Sequence, residues 1–184
     1  MDPGIDAQAR QETAERPSFR AIFDRHYAYV SHTLRRLGVA ERDREDLTHD
    51  VFVAVHKGLA DYDPTRALRP WLFGIAFRVA SDYRRLARHR LETMEVPAEG
   101  VDGAPPADQR IAALQAQQLV LSALDALDLD RRALIVMHDI DGHTMPQIAE
   151  VLSIPLNTAY SRLRLARAQF RGEVERLRGP GGES

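Results

Sequence analysis

Three residues, Ser153-Ile154-Pro155, stand between two helical patterns and leave the chain little choice of geometry there. Thr144 is a natural cap for a helix carrying Ile148, Ala149 and Leu152, and the proline keeps that helix from continuing. Asn157 and Thr158 are good caps for a second helix. Helices joined by so short a turn cross steeply, so the second one projects. On it Ala159, Leu163, Ala166 and Phe170 fall on one side at about 100° per residue and pack inward. Tyr160, Arg164, Arg167 and Arg171 form a neighbouring stripe, and Ser161 and Ala168 widen the exposed side. In a helix-turn-helix this arrangement sets Tyr160, Ser161 and Arg164 nearest base edges in a major groove and Arg162, Arg167 and Arg171 against phosphates. An amphipathic helix with a solvated basic face is the competing reading.

The rest of the chain reads as helical too, with no useful strand alternation. Residues 1–16 are polar and aperiodic and read as a frayed tail. From Pro17 the apolar residues Phe19, Ile22, Phe23, Val30, Leu34 and Leu37 mark a first helix, with Gly38 as its C-terminal stop. Asp43 can cap a second, which buries Leu47, Val51 and Val55. The loop from Asp61 to Arg66 turns at Asp63-Pro64, and Pro70 suits the first turn of a third helix. Pro97, Gly100, Gly103, Pro105 and Pro106 then break the pattern, so residues 94–110 read as a flexible linker. Helices follow over Ile111–Leu127 and Arg131–Asp139, with a turn at Asp141-Gly142. The expected architecture is all-α: two small helical domains, residues 17–93 and 111–178, joined by that linker, with a short tail at 179–184.

Charge sharpens this division. The net charge is -2, yet Arg78, Arg84, Arg85, Arg88 and Arg90 face one acid, Asp82. A second set of six arginines lies between Leu156 and Arg178, beside only Glu173 and Glu175. Between them the stretch from Glu95 to Asp130 has seven acids and one base. Two basic patches parted by an acidic middle suggest two separate nucleic-acid contacts. There is no cysteine, which excludes disulfides and thiolate metal sites, and no run of about 18 apolar residues to span a membrane. The polar N-terminus gives no export signal, so a bacterial-type cytoplasm is expected.

Three stretches together resemble the extracytoplasmic-function (ECF) sigma factors of bacterial RNA polymerase, over nearly the whole span from Phe19 to Phe170. Asp46-Leu47-Thr48-His49-Asp50-Val51-Phe52 is similar to the family's acidic run ending in phenylalanine. Trp71-Leu72, Ile75-Ala76, Asp82 and Arg85 are similar to its tryptophan-led helix. Ile148-Ala149, Leu152, Pro155, Thr158, Ser161-Arg162-Leu163 and Ala166-Arg167 match its terminal helix-turn-helix.

The resemblance implies a non-enzymatic initiation factor that needs no cofactor or metal. The N-terminal domain would be region 2 and the C-terminal domain region 4. Asp46, His49, Asp50 and Phe52 would meet a coiled coil of polymerase's largest subunit, and region 4 the flap. Tyr62, Arg66, Arg78, Asp82, Arg84, Arg85 and Arg88 would hold the opened -10 strand, with Trp71 and Phe77 as further stacking area or as core. Thr158, Tyr160, Ser161, Arg162, Arg164, Leu165, Arg167 and Arg171 would read the -35 duplex. An anti-sigma factor is the implied inhibitor, and the free protein is expected to be a monomer. The chain departs from the pattern at His49-Asp50, usually Gln-Glu; at Arg78, often asparagine; at Asn157, usually glycine; and at Tyr160 and Leu165, often basic. Its -35 sequence is therefore not transferable from other members.

Two other classes compete. A transcription regulator with a sensing N-terminal domain explains the helix-turn-helix but leaves the basic stretch from Trp71 to Arg85 without a role. A hydrolase or nuclease would have to use His138, Asp139, Asp141 and His143, the one dense His/Asp cluster, which lacks metalloprotease spacing and stands without a phosphate-binding loop.

Overall fold

The computed structural model describes residues 17–93 and 108–179, with side chains over 17–87 and 112–179. The expected N-terminal tail, all of the expected C-terminal tail but Gly179, and all but the last three residues of the expected linker lie outside the described residues. Among those described, every regular element is helical.

Helix α1 (Phe19–Arg36) opens on Ser18, whose hydroxyl accepts from the Ala21 amide at 3.2 Å. It ends in a paired reverse-bonded cap. Gly38, at φ +87°, donates to the Arg35 carbonyl, and Val39 donates to that of Leu34. Helix α2 (Glu41–Gly58) starts two residues before Asp43, with Ala40 at the cap position. Asp43 therefore does not cap; its carboxylate accepts from the Tyr83 hydroxyl at 2.8 Å and ties α2 to α3. Helix α3 (Leu68–Thr93) begins ahead of Pro70, which sits third in the first turn, where its missing amide proton has no helical acceptor. Leu34, Val51, Val55, Leu72 and Phe73 fill the space between the three helices.

The C-terminal domain begins with α4 (Asp108–Asp125), three residues earlier than the sequence suggests, and α5 (Leu129–Ile135), capped by Asp128. A wide π turn, Val136–Ile140, extends α5. It gives neighbouring acids different partners: Asp139 pairs with Arg167, while Asp141 reaches Tyr29 and Arg36 of the other domain. Helix α6 (Met145–Val151) opens on Thr144, whose amide and hydroxyl both donate to Gln147 Oε1, at 3.0 and 3.1 Å.

Helix α7 (Leu156–Arg178) starts directly after Pro155, whose carbonyl accepts from Ala159. Asn157 and Thr158 thus sit inside the first turn rather than capping it. The left-handed residue of the turn is Ser153, at φ +53°. With the chain already reversed at Ser153, proline's fixed φ suits the cap position and no polar cap is needed.

The two domains pack together. Tyr29 donates to Asp141 at 2.9 Å, Arg36 lies 3.2 Å from the same carboxylate, and Arg66 pairs with Glu150. Val151 lies so close over Gly74 that a Cβ there would come within 3.3 Å of it.

Asp139 fixes α7 against the π turn. The Arg167 guanidinium, with Nε 3.0 Å from Oδ2, holds this carboxyl below the ordinary 3.8, with a smaller contribution from His138. The pair's stabilisation is complete above pH 3.8 and is lost as pH falls through the lower folded value. Asp139→Asn is expected to flatten the acid limb of the melting temperature against pH, followed by circular dichroism below pH 4. Parallel curves for the variant and the parent would contradict this.

Candidate nucleic-acid and polymerase interfaces

Ala159, Leu163 and Ala166 are buried beneath α7, and Phe170 is half-buried beside them. The opposite side is free. Tyr160 is 55% exposed and Leu165 51%, with Asn157, Ser161, Arg164 and Ala168 exposed around them. Thr158 is half-buried, and its carbonyl accepts from the Ser161 hydroxyl at 3.0 Å, which leaves the serine oxygen's lone pairs outward.

The arginines of α7 divide into two kinds. Arg167 is bound to Asp139, and Arg162 lies 3.6 Å from Asp130. Among the described residues Arg164 and Arg171 have no ion-pair partner. A free guanidinium can approach a base edge or phosphate without first surrendering an internal acid. A groove of about 800 Å³ runs along this helix, floored by Val120, Ile135, Ile140, Leu163 and Phe170 and rimmed by Tyr160, Arg164 and Arg171. Sequence periodicity gave no sign of it, because Val120 and Ile135 arrive from other helices.

On α2, Asp46, His49 and Asp50 are exposed on one face, as their spacing implies. Phe52 lies beneath that face and forms the floor of a depression in it. At 2% exposure it belongs to the core, 4.8 Å from the Phe23 ring and stacked at 6.0 Å on Tyr27. The sequence reading missed Val53, 52% exposed, and His56; both fall on the acidic face at helical spacing from His49 and Asp50. That spacing was legible, but a valine in a helix reads as core. Phe19, Phe23, His49, Phe52, Val53, His56 and Lys57 line a shallow apolar depression there.

The residues expected to hold a single strand are dispersed. Tyr62 is buried, its ring 4.7 Å from Trp71 and its hydroxyl donating to the Arg66 carbonyl at 2.5 Å, so it shapes the loop rather than offering a stacking face. Burial pushes its hydroxyl pKa up. Asp63 holds the turn by accepting from the Thr65 amide and hydroxyl, at 2.9 and 2.7 Å. Arg78 and Arg85, two turns apart on α3, share an exposed face with Asp82, which pairs with Arg85 at 3.1 Å. Arg84 leaves that face: half-buried, it donates to the Leu37 carbonyl at 3.4 Å. Arg66 is taken by Glu150. The Arg88 side chain lies outside the described residues.

The cluster from His138 to His143 divides between two jobs. Asp139 serves Arg167 and His138, and Asp141 serves Tyr29 and Arg36. Among the described residues no three His, Asp or Glu side chains converge as metal ligands would. No described helix is long and apolar enough to cross a membrane.

Family models match both domains: Sigma-70 region 2 over residues 22–90 and Sigma-70, region 4 over residues 117–170. The RNA polymerase sigma factor CnrH of Cupriavidus metallidurans is 30% identical over 170 residues, covering 88% of this chain and 89% of that one. The ECF RNA polymerase sigma factor SigE of Mycolicibacterium smegmatis is 30% identical over 171 residues, 89% of this chain and 64% of its own. Among solved structures, CnrH in complex with the cytosolic domain of CnrY superposes with a TM-score of 0.63 at 28% identity, over 92% of this chain and 96% of that one. The sigma factor RpoE of Bartonella quintana, in complex with the anti-sigma factor NepR, shares the fold with a TM-score of 0.68 at 20% identity, over 89% and 98%. The chain belongs to the ECF RNA polymerase sigma factors, and it directs transcription initiation as an alternative sigma factor.

Proposed function

We propose that three exposed faces divide the work of initiation. The α2 face of Asp46, His49, Asp50 and Val53 grips a coiled coil of polymerase's largest subunit. Arg78 and Arg85 on α3 receive the backbone of the opened -10 strand. Tyr160, Ser161, Arg164 and Leu165 on α7 read the -35 duplex, with Arg171 on phosphate. The protein acts by binding rather than by catalysis, in the bacterial cytoplasm and as a monomer when free. An anti-sigma factor restrains it, the class of partner bound to the B. quintana sigma factor in its solved complex.

The observation that carries this reading is the free side of α7. Exposed polar and aromatic residues lie there beside Arg164, which has no ion-pair partner among the described residues, with Ala159, Leu163 and Ala166 buried beneath them. An arginine bidentate to a guanine is worth about 1–3 kcal/mol of discrimination, whereas a phosphate contact carries no sequence information. Exposed Leu165 and Tyr160 add apolar surface of the kind that suits a thymine methyl.

Arg164→Ala is expected to lower the preference for cognate over scrambled -35 duplex about tenfold in the assembled holoenzyme. Arg167→Ala is expected to weaken both duplexes alike, and less, because that guanidinium is already committed to Asp139. A fluorescence titration on both duplexes measures this; equal losses for the two variants would contradict the assignment. On the other face, Val53→Asp should weaken binding to core polymerase about tenfold or more, since it sets an unpaired carboxylate in an apolar contact. Unchanged affinity would remove α2 from the polymerase interface.

A further inference from the structure

Arg164, Arg167 and Arg171 fall within about 60° of one another around α7. Were all three free, they would form one basic stripe along the helix. The outward side lies elsewhere, because Ser161 and Ala168 are about 120° and 100° round the helix from Arg167. Two seatings on duplex DNA thus compete for the same helix. One turns Ser161, Arg164 and Leu165 to base edges. The other rolls the helix onto its arginine stripe, where it neutralises phosphates and reads no sequence.

The π turn intervenes at the middle residue of that stripe. Arg167 Nε lies 3.0 Å from Asp139 Oδ2 and its Nη2 donates to Oδ1, so one carboxylate takes two guanidinium nitrogens. His138 joins the pair, with Nδ1 2.8 Å from Asp139 Oδ1 and 3.0 Å from Arg167 Nη2, so either tautomer binds one of the two. Each partner holds the other in its charged form: Arg167 lowers the carboxyl pKa, and Asp139 raises that of the guanidinium. The contacts of Arg162 and Arg176 are of another kind. Arg162 lies 3.6 Å from an exposed Asp130, and Arg176 is held by Glu173 of its own helix.

Asp139 stands on a turn in which the Asp141 amide donates to the Val136 carbonyl, five residues back, at 2.9 Å. Such wide turns are rare and frequent at functional sites. The Arg167 side chain is 45% exposed, so the pairing withholds it from DNA and burial does not.

We propose that Asp139 is a specificity residue of the -35 contact, holding Arg167 out of the arginine stripe and denying α7 a sequence-blind seat on the DNA backbone. This rests on the assignment of α7 to the -35 duplex. A phosphate approaching the stripe has to break a two-pronged ion pair and then faces the released carboxylate. A helix seated by Arg164 on a base edge meets no such cost, because Arg167 is then turned to the flank.

The test is titration of the assembled holoenzyme with cognate and scrambled -35 duplexes over a series of salt concentrations. Asp139→Asn is expected to bind the scrambled duplex about fivefold more tightly, with a salt dependence steeper by about one phosphate contact. Its affinity for the cognate duplex should stay within about twofold of the parent, so the preference falls. Adding Arg167→Gln to Asp139→Asn should restore the parent's affinity and salt dependence. Asp139→Ser frees the same guanidinium and serves in place of an asparagine variant that does not fold. Asp24→Asn, a charge-matched change in α1, should behave as the parent.

Weaker binding of both duplexes by Asp139→Asn would show that the carboxylate positions Arg167 for DNA, and that overturns the proposal. A gain that survives Arg167→Gln, or that Asp24→Asn shares, would reflect net charge alone and overturns it too. Arg164→Ala in the same titration keeps the underlying assignment separate. If Arg164→Ala alters discrimination while Asp139→Asn alters nothing, only the role of Asp139 falls. If neither variant alters binding to either duplex, the assignment of α7 falls with it.

Discussion

Burial of Ala159, Leu163 and Ala166 against the rest of the C-terminal domain decides everything that α7 can present. Leu163 alone removes apolar surface worth about 2 kcal/mol from water, and the two alanines let the helix approach closely. With that side fixed, the helical period leaves Asn157, Ser161, Arg164, Leu165 and Ala168 facing outward. The turn at Ser153 and Pro155 sets the angle at which this surface projects. Change the inward register by one residue and Arg164 turns by about 100°, away from any groove the domain could enter.

The N-terminal domain obeys the same logic with a different outcome. Phe19, Phe23, Tyr27 and Phe52 form an aromatic layer that supports α2 from below, so its outer side can be acidic and still carry an exposed valine. Between the domains, polar and charged pairs, Asp141 with Tyr29 and Arg36 and Glu150 with Arg66, flank an apolar contact of Val151 on Gly74, and buried apolar residues of both domains join in one cluster.

Much of this was legible in the sequence, because helical period, glycine stops and proline breaks are local signals. Gly38 ends α1 as expected, Thr144 opens α6, and Pro155 separates the two helices of the DNA-binding unit. What periodicity cannot supply is the neighbour. Asp43 looks like a cap until Tyr83, 40 residues away, takes its carboxylate. Tyr62 looks like a binding aromatic by type and motif position, yet it is buried against the Trp71 ring. Arg84 and Arg85 are adjacent in sequence and part company in space, because one faces the seam and the other solvent. Arg167 reads as a free phosphate contact until Asp139, 28 residues earlier, is brought against it by the π turn. Asp141 pairs with Tyr29 across 112 residues, a contact that no local pattern announces.

The central claim is that this chain selects promoters for core polymerase. Run-off transcription on fragmented host genomic DNA, with core polymerase alone and with this protein added, tests it most directly when start sites are mapped to single nucleotides. The account predicts a discrete set of new start sites that share upstream -35 and -10 sequences and weaken when α7 carries Arg164→Ala. A start-site map unchanged by the protein would contradict it.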